Sequence, residues 1–187
     1  MTNLRRAALF LDRDGVINVD HGYVHRPDQV QFVDGIFDLV RAARGLMLEV
    51  VVVTNQSGIA RGYFSQADFE TITRWLHERF AAAGAPLTAT YHCPYHPTEG
   101  IGDWRRESVD RKPGPGMLLR AAHEHGLDLA ASWILGDRQS DIEAGRSAGV
   151  GKLLFFRSEK GQKVPPGATG VETLHEARIQ LLASLTA

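Results

Sequence analysis

The chain has 187 residues, 43% hydrophobic and 23% charged, which predicts one globular domain, residues 1–187, with a sizeable core. With 21 basic and 22 acidic residues the net charge is −1, which gives no basis for nucleic-acid binding. The longest apolar run, residues 7–11, is far shorter than the roughly 18 residues of a membrane span, and Asp12 ends it too soon for a signal segment. The lone cysteine, Cys93, excludes an internal disulfide and fits a reducing cytoplasm, the expected location.

Residues 7–11 form an apolar run without alternation, the pattern of a strand buried on both faces. Residues 15–33 follow as a long loop of the kind that usually carries function. Residues 35–44 place Ile36, Phe37, Val40 and Ala43 on one helical face. Residues 48–53 are a second buried strand. Residues 65–83 read as a helix with Ser65 as N-cap and Asp68 three residues on. Phe69, Ile72, Leu76 and Phe80 line its inner face, and Gly84 stops it. Residues 90–93 are a third strand, and 94–112 a second long loop, read as a small insert over the active site. Residues 115–125 are a helix with proline in its first turn, stopped by Gly126. A strand at 133–135, a helix at 140–148 and a strand at 152–156 follow. Residues 157–170 read as a polar, mobile connection and 171–185 as the last helix. This alternation predicts an α/β fold, a doubly wound parallel sheet with helices on both faces.

In such sheets ligands bind beyond the carboxyl ends of the strands. There lie Asp12-Arg13-Asp14-Gly15, Thr54-Asn55-Gln56-Ser57-Gly58, Arg111-Lys112-Pro113 and Gly136-Asp137-Arg138. Asp12 and Asp14 would repel each other without a cation between them, and Mg²⁺ suits an all-oxygen site that handles phosphate. One carboxylate can attack phosphorus, and a second can protonate the leaving oxygen and then deprotonate water. Thr54 can hold phosphoryl oxygens, Lys112 can offset charge and Asp137 can ligate the metal. Asp141, in the first turn of its helix, suits either support of the site or capping.

These four segments resemble the motifs of the haloacid dehalogenase (HAD) superfamily. Within it the chain resembles the heptose 1,7-bisphosphate 7-phosphatases and the related histidinol-phosphate phosphatases, over about residues 7–156. The resemblance implies little or no cap domain. It implies Asp12 as nucleophile, Asp14 as acid/base, and Thr54 and Lys112 as phosphoryl stabilisers. It implies Mg²⁺ on Asp12, on the backbone carbonyl of Asp14 and on Asp137. Substrate contacts are implied at Asp20, His21, Gly22, Tyr23, Asn55, Gln56, Ser57, Arg111 and Arg138. Arg138 stands where these relatives commonly have lysine, which keeps the charge and changes the fork geometry. The implied activity is removal of the 7-phosphate from a heptose 1,7-bisphosphate, the alternative being histidinol phosphate or another small sugar phosphate. The expected partner is a small phosphorylated sugar, with no membrane and no nucleic acid, and the expected state is a monomer.

The same relatives carry four zinc ligands in the loop before Arg-Lys-Pro. Here those positions are Cys93, Tyr95, Ser108 and Asp110. Tyrosine and serine are poor zinc ligands at neutral pH, so no structural zinc is expected, the alternative being a site of Cys93, Asp110 and His92 or His96. A loop packed on Tyr91, Tyr95 and Trp104 and limited by Pro94 and Pro97 is expected instead. Two rival classes are a signalling receiver, which needs no acid two residues after its phosphorylated aspartate, and a phosphosugar-binding protein without catalysis, against which the filled catalytic positions argue.

Overall fold

The computed structural model describes residues 6–158 and 161–183. Six strands form one parallel sheet: β1 (Ala8–Leu11), β2 (Glu49–Asn55), β3 (Ala89–Cys93), β4 (Trp133–Gly136), β5 (Lys152–Phe156) and β6 (Thr169–Val171). Their order is β3-β2-β1-β4-β5-β6. The order reverses between β1 and β4, which opens a crevice at their carboxyl ends. Among the described residues there are six α-helices, five between strands and one after the last: α1 (Ile36–Gly45), α2 (Ser57–Ala60), α3 (Gln66–Ala82), α4 (Gly116–His125), α5 (Gln139–Ala148) and α6 (Leu174–Ala183).

Successive strand residues point to opposite faces, and in the central strands both faces are buried. Leu9, Leu11, Val50 and Val52 pack with α1, α3 and α6. Ala8, Phe10, Val51 and Val53 pack with α4 and α5 on the other face. The register sets Leu11 beside Val52 and Leu135, so Asp12, Val53 and Gly136 stand level. The α3 N-terminus matches its sequence signature. Ser65 Oγ accepts from Asp68 N at 3.1 Å, and Asp68 Oδ2 accepts from Ser65 N at 2.8 Å.

The structure corrects two readings. Residues 169–171 are a strand, so Val171 belongs to β6 and not to the last helix, which starts at Leu174. Residues 184 and 185 of that expected helix lie outside the described residues. Three residues with one buried side chain give no periodic signal; β6 is defined by backbone pairing, extended by Arg157 N to Val171 O at 2.9 Å. Edge strand β3 is only half-buried, because no strand covers its far side. The 15–33 loop is packed: Val16, Ile17 and Val24 are buried in the core, and Asn18 bridges to Asp14 and Phe32. Among the described residues no helix is long and apolar enough to cross a membrane.

Candidate active site

The crevice collects the expected residues from four segments. Asp12 extends β1, its N–H donating to Leu135 O at 3.1 Å. Thr54 and Asn55 end β2, and Gly136 ends β4 just before Asp137. Lys112 comes from the 94–112 loop, and Asn55 fixes it there. Asn55 Nδ2 donates to Lys112 O and Asn55 Oδ1 accepts from Lys112 N, both at 3.0 Å. Gly15 is required by its neighbour: its φ is 92°, and a Cβ there would lie 2.1 Å from Asp137 Oδ2.

Charge at the floor is dense and buried. Lys112 Nζ lies 2.9 Å from Asp12 Oδ1 and 2.6 Å from Asp141 Oδ1, and it donates to Val53 O at 2.8 Å. Burial disfavours the ammonium, but the two carboxylates outweigh this and hold its pKa above the ordinary lysine value. Burial pushes Asp12 up to about 7; Lys112 opposes the shift, and the charges of Asp141 and Asp137 add to it. Burial and Asp141 likewise push Asp137 up to about 6. Asp141 serves both roles that its position allows. Its Oδ2 caps α5 by accepting from Arg138 N at 2.9 Å, while its Oδ1 faces Lys112.

Asp14 is held separately. Arg13 Nη2 donates to Asp14 Oδ2 at 2.8 Å, Asn18 Nδ2 to Oδ1 at 3.0 Å and Gln56 Nε2 to Oδ2 at 3.0 Å. Gln56 Nε2 also reaches Thr54 Oγ1 at 2.9 Å, so one amide orients two expected catalytic groups. Arg13 is fully buried and anchored to Val24 O at 2.7 Å. Sequence reasoning missed Arg13 and Asn18 as holders of Asp14. The arginine has no counterpart across the motif by which its burial could be read.

A cleft of about 510 Å³ opens above this floor. It is lined by Asp12, Asp14, Asp20, Gly22, Tyr23, Thr54, Asn55, Gln56, Ser57, Arg111, Lys112 and Arg138, together with Gly58, Arg61, Ser140 and Asp141. His21 does not line it; its Nε2 lies 3.2 Å from Gln31 Oε1 instead. Asp137 borders the adjoining cleft of about 700 Å³, on the far side of an ion pair between Arg138 Nη2 and Asp20 Oδ2 at 2.8 Å. The 94–112 loop is held by protein contacts. Tyr95 lies 5.7 Å from Trp104, Arg106 lies 3.7 Å over the Tyr95 ring, and Arg111 Nη1 donates to Tyr95 O at 3.1 Å.

The donor set fits a hard divalent cation. Oxygens of Asp12, Asp137 and Asp141 lie within 4.8 Å of one another, and Asp137 Oδ1 is buried with no hydrogen-bond partner. One lysine does not neutralise three buried carboxylates, and oxygen-only ligands select magnesium or calcium over softer ions. Asp14 enters this group only if its backbone carbonyl does, because its carboxylate is held by Arg13, Asn18 and Gln56.

Residues 109–176 match the family described as HAD-hydrolase-like. D-glycero-alpha-D-manno-heptose-1,7-bisphosphate 7-phosphatase of Burkholderia mallei is 49% identical over 168 residues, 90% of this chain and 89% of that protein. The chain belongs to the heptose-bisphosphate phosphatase family. D-glycero-beta-D-manno-heptose-1,7-bisphosphate 7-phosphatase of Escherichia coli K12, another member, is 45% identical over 86% of this chain and 83% of its own. The D,D-heptose 1,7-bisphosphate phosphatase of B. bronchiseptica, solved with magnesium and phosphate, superposes with a TM-score of 0.82 at 31% identity, over 95% of this chain and 99% of that one. Membership makes this chain a HAD-type phosphoric monoester hydrolase.

Proposed function

We propose that this enzyme removes the 7-phosphate of D-glycero-D-manno-heptose 1,7-bisphosphate, with Mg²⁺, through an aspartyl-phosphate. The observation that carries the reading is the buried Asp12–Lys112–Asp141 floor beneath a cleft that also presents Arg111 and Arg138. A cleft with cations beyond its reaction centre suits a substrate with a second phosphate. In this reading the Asp12 carboxylate attacks phosphorus and the bond from phosphorus to the sugar oxygen breaks. Asp14 gives that oxygen its proton. Asp14 then takes a proton from water, which attacks the phosphorus, and Asp12 is released with inorganic phosphate. Thr54 and Lys112 stabilise the phosphoryl oxygens, and Gln56 orients Thr54 and Asp14. Asp12, the Asp14 carbonyl and Asp137 would hold Mg²⁺, with Asp141 behind them. When bound, the ion offsets charge on the phosphoryl group. Asp20, Gly22, Tyr23, Ser57, Arg111 and Arg138 would contact the substrate, and Asn55 would act through Lys112. A panel of both heptose 1,7-bisphosphate anomers, histidinol phosphate and simple sugar phosphates tests the assignment. Phosphate release should be fastest with a heptose bisphosphate; faster release from histidinol phosphate would overturn it.

Arg111→Ala should weaken a bisphosphate more than a monophosphate, the preference shrinking by roughly 1.5–3 kcal/mol for a charge-assisted contact. Equal effects in kcat/KM for both substrates would reduce Arg111 to a general field effect.

The loop beside Arg111 is proposed to order without zinc. Cys93 is buried and its thiol is pushed up by burial, while Asp110 pairs with Arg120 at 3.0 Å. Metal analysis of untagged protein purified without chelator should return no stoichiometric zinc. One tightly held zinc per chain, lost in Cys93→Ala, would refute this.

A further inference from the structure

Arg61, just beyond α2, lines the same cleft as Arg111. The two guanidiniums therefore face one cleft, and the charge of Arg61 adds to burial in lowering the pKa of Arg111. Like charges held in one cleft need an anion between or beside them. In this structure Glu99 of the 94–112 loop supplies one, pairing with Arg61 Nη2.

The pairing is built into the backbone. Ile101 N donates to Ala60 O at 2.9 Å, which ties the loop to α2 one residue from Arg61. A Cβ on Gly100 would lie 2.5 Å from Trp104 O, so the turn that presents Glu99 requires glycine. His96 Nδ1 accepts from Glu99 N at 3.0 Å, and its Nε2 lies 3.6 Å from Glu99 Oε2. Arg61 also lies 6.0 Å from the centre of the Tyr23 ring. Its Nε is buried with no hydrogen-bond partner, so the guanidinium is under-used in this arrangement.

The Glu99 side chain is 51% exposed and that of Arg61 25%. A pair this open contributes little and parts readily. A phosphate dianion carries more charge than a carboxylate, and guanidinium matches its geometry with two parallel hydrogen bonds. We propose that the Arg61–Glu99 pair is a displaceable latch: the uncleaved phosphate of a bisphosphorylated substrate displaces Glu99 and is held by Arg61 together with Arg111. This rests on the bisphosphate reading above. A monophosphate leaves the latch closed and gains nothing from Arg61, so the latch adds to the selection of bisphosphates.

The test is competition against p-nitrophenyl phosphate hydrolysis by the Mg²⁺-loaded enzyme. Two pairs of probes are used: heptose 1,7-bisphosphate with heptose 7-phosphate, and fructose 1,6-bisphosphate with fructose 6-phosphate. Glu99→Gln removes the competing charge and should lower the Ki of both bisphosphates roughly two- to fivefold, with the monophosphates almost unmoved. Arg61→Ala should raise the bisphosphate Ki roughly tenfold or more, and the gain from Glu99→Gln should vanish in the double variant. If Glu99 only fastens the loop, Glu99→Gln will raise every Ki alike; that result, or an unchanged ratio in both pairs, overturns the latch. Absence of wild-type turnover of heptose 1,7-bisphosphate would sink the substrate reading, while the fructose pair would still report on the latch.

Discussion

Asp12→Asn is expected to abolish turnover and to leave the metal-free protein no less stable than wild type at pH 7.5. The loss of rate should be about 10⁴-fold or more, because an amide is a poor nucleophile. The stability arm follows from burial. The Asp12 carboxyl is pushed up to about 7 in the fold, against an ordinary aspartate near 3.8. Between those values the folded chain holds more protons than the unfolded one, so this residue lowers stability as pH rises through the window. The variant loses that slope. Without metal, its melting temperature relative to wild type should therefore climb from pH 5 to pH 7.5. Asp137, pushed up to about 6 for the same reason, retains its share of the slope in both proteins. Thermal melts in chelator at the two pH values check this. A variant that melts well below wild type at pH 7.5 would show that Asp12 stabilises the fold, contrary to its position among three carboxylates.

That trade between function and stability explains why the site was legible in the sequence. The proposed reaction needs acids where packing does not, so Asp12 ends the apolar run 7–11 and Asp137 follows the apolar β4. Valines 50–53 read as a strand because both faces of β2 are covered, and the sheet register then carries Asp12, Thr54 and Asp137 to one edge. What stayed hidden depends on contacts distant in the chain. Asn55 reads as a substrate contact, yet its amide is spent on the Lys112 peptide 57 residues away. Arg13 reads as a motif letter and is a buried strut between Asp14 and Val24 O. β6 has Gly170 at its centre and two exposed residues, so neither apolar pattern nor propensity marks it. The short helix α2 is a single turn inside Ser57-Gly58-Ile59-Ala60, shorter than any period can register.

Lys112→Met should have the opposite effect on stability. The ammonium is 3% exposed as a residue and bridges Asp12, Asp141 and Val53 O. Methionine fills a similar volume but leaves two carboxylates facing each other in a buried site. Breaking a buried pair by removing one partner costs about 3–5 kcal/mol. At roughly 2–4 °C per kcal/mol for a chain of this size, the melting temperature should fall by roughly 6–20 °C at pH 7.5. Lys112 also holds Asp12 back from still higher proton affinity, so its removal raises the Asp12 pKa further. The loss should therefore shrink at pH 5, where Asp12 takes up a proton and the repulsion is relieved. Lys112→Met with Asp141→Asn removes one charge of each sign and should recover part of the melting temperature. It should recover none of the turnover, because Asp12 still lacks the cation beside it. A single variant that melts within about 2 °C of wild type would show that the carboxylates find water or each other as partners, and that the lysine serves the reaction alone. Recovery of both stability and turnover in the double variant would instead make Lys112 a structural counter-ion to Asp141.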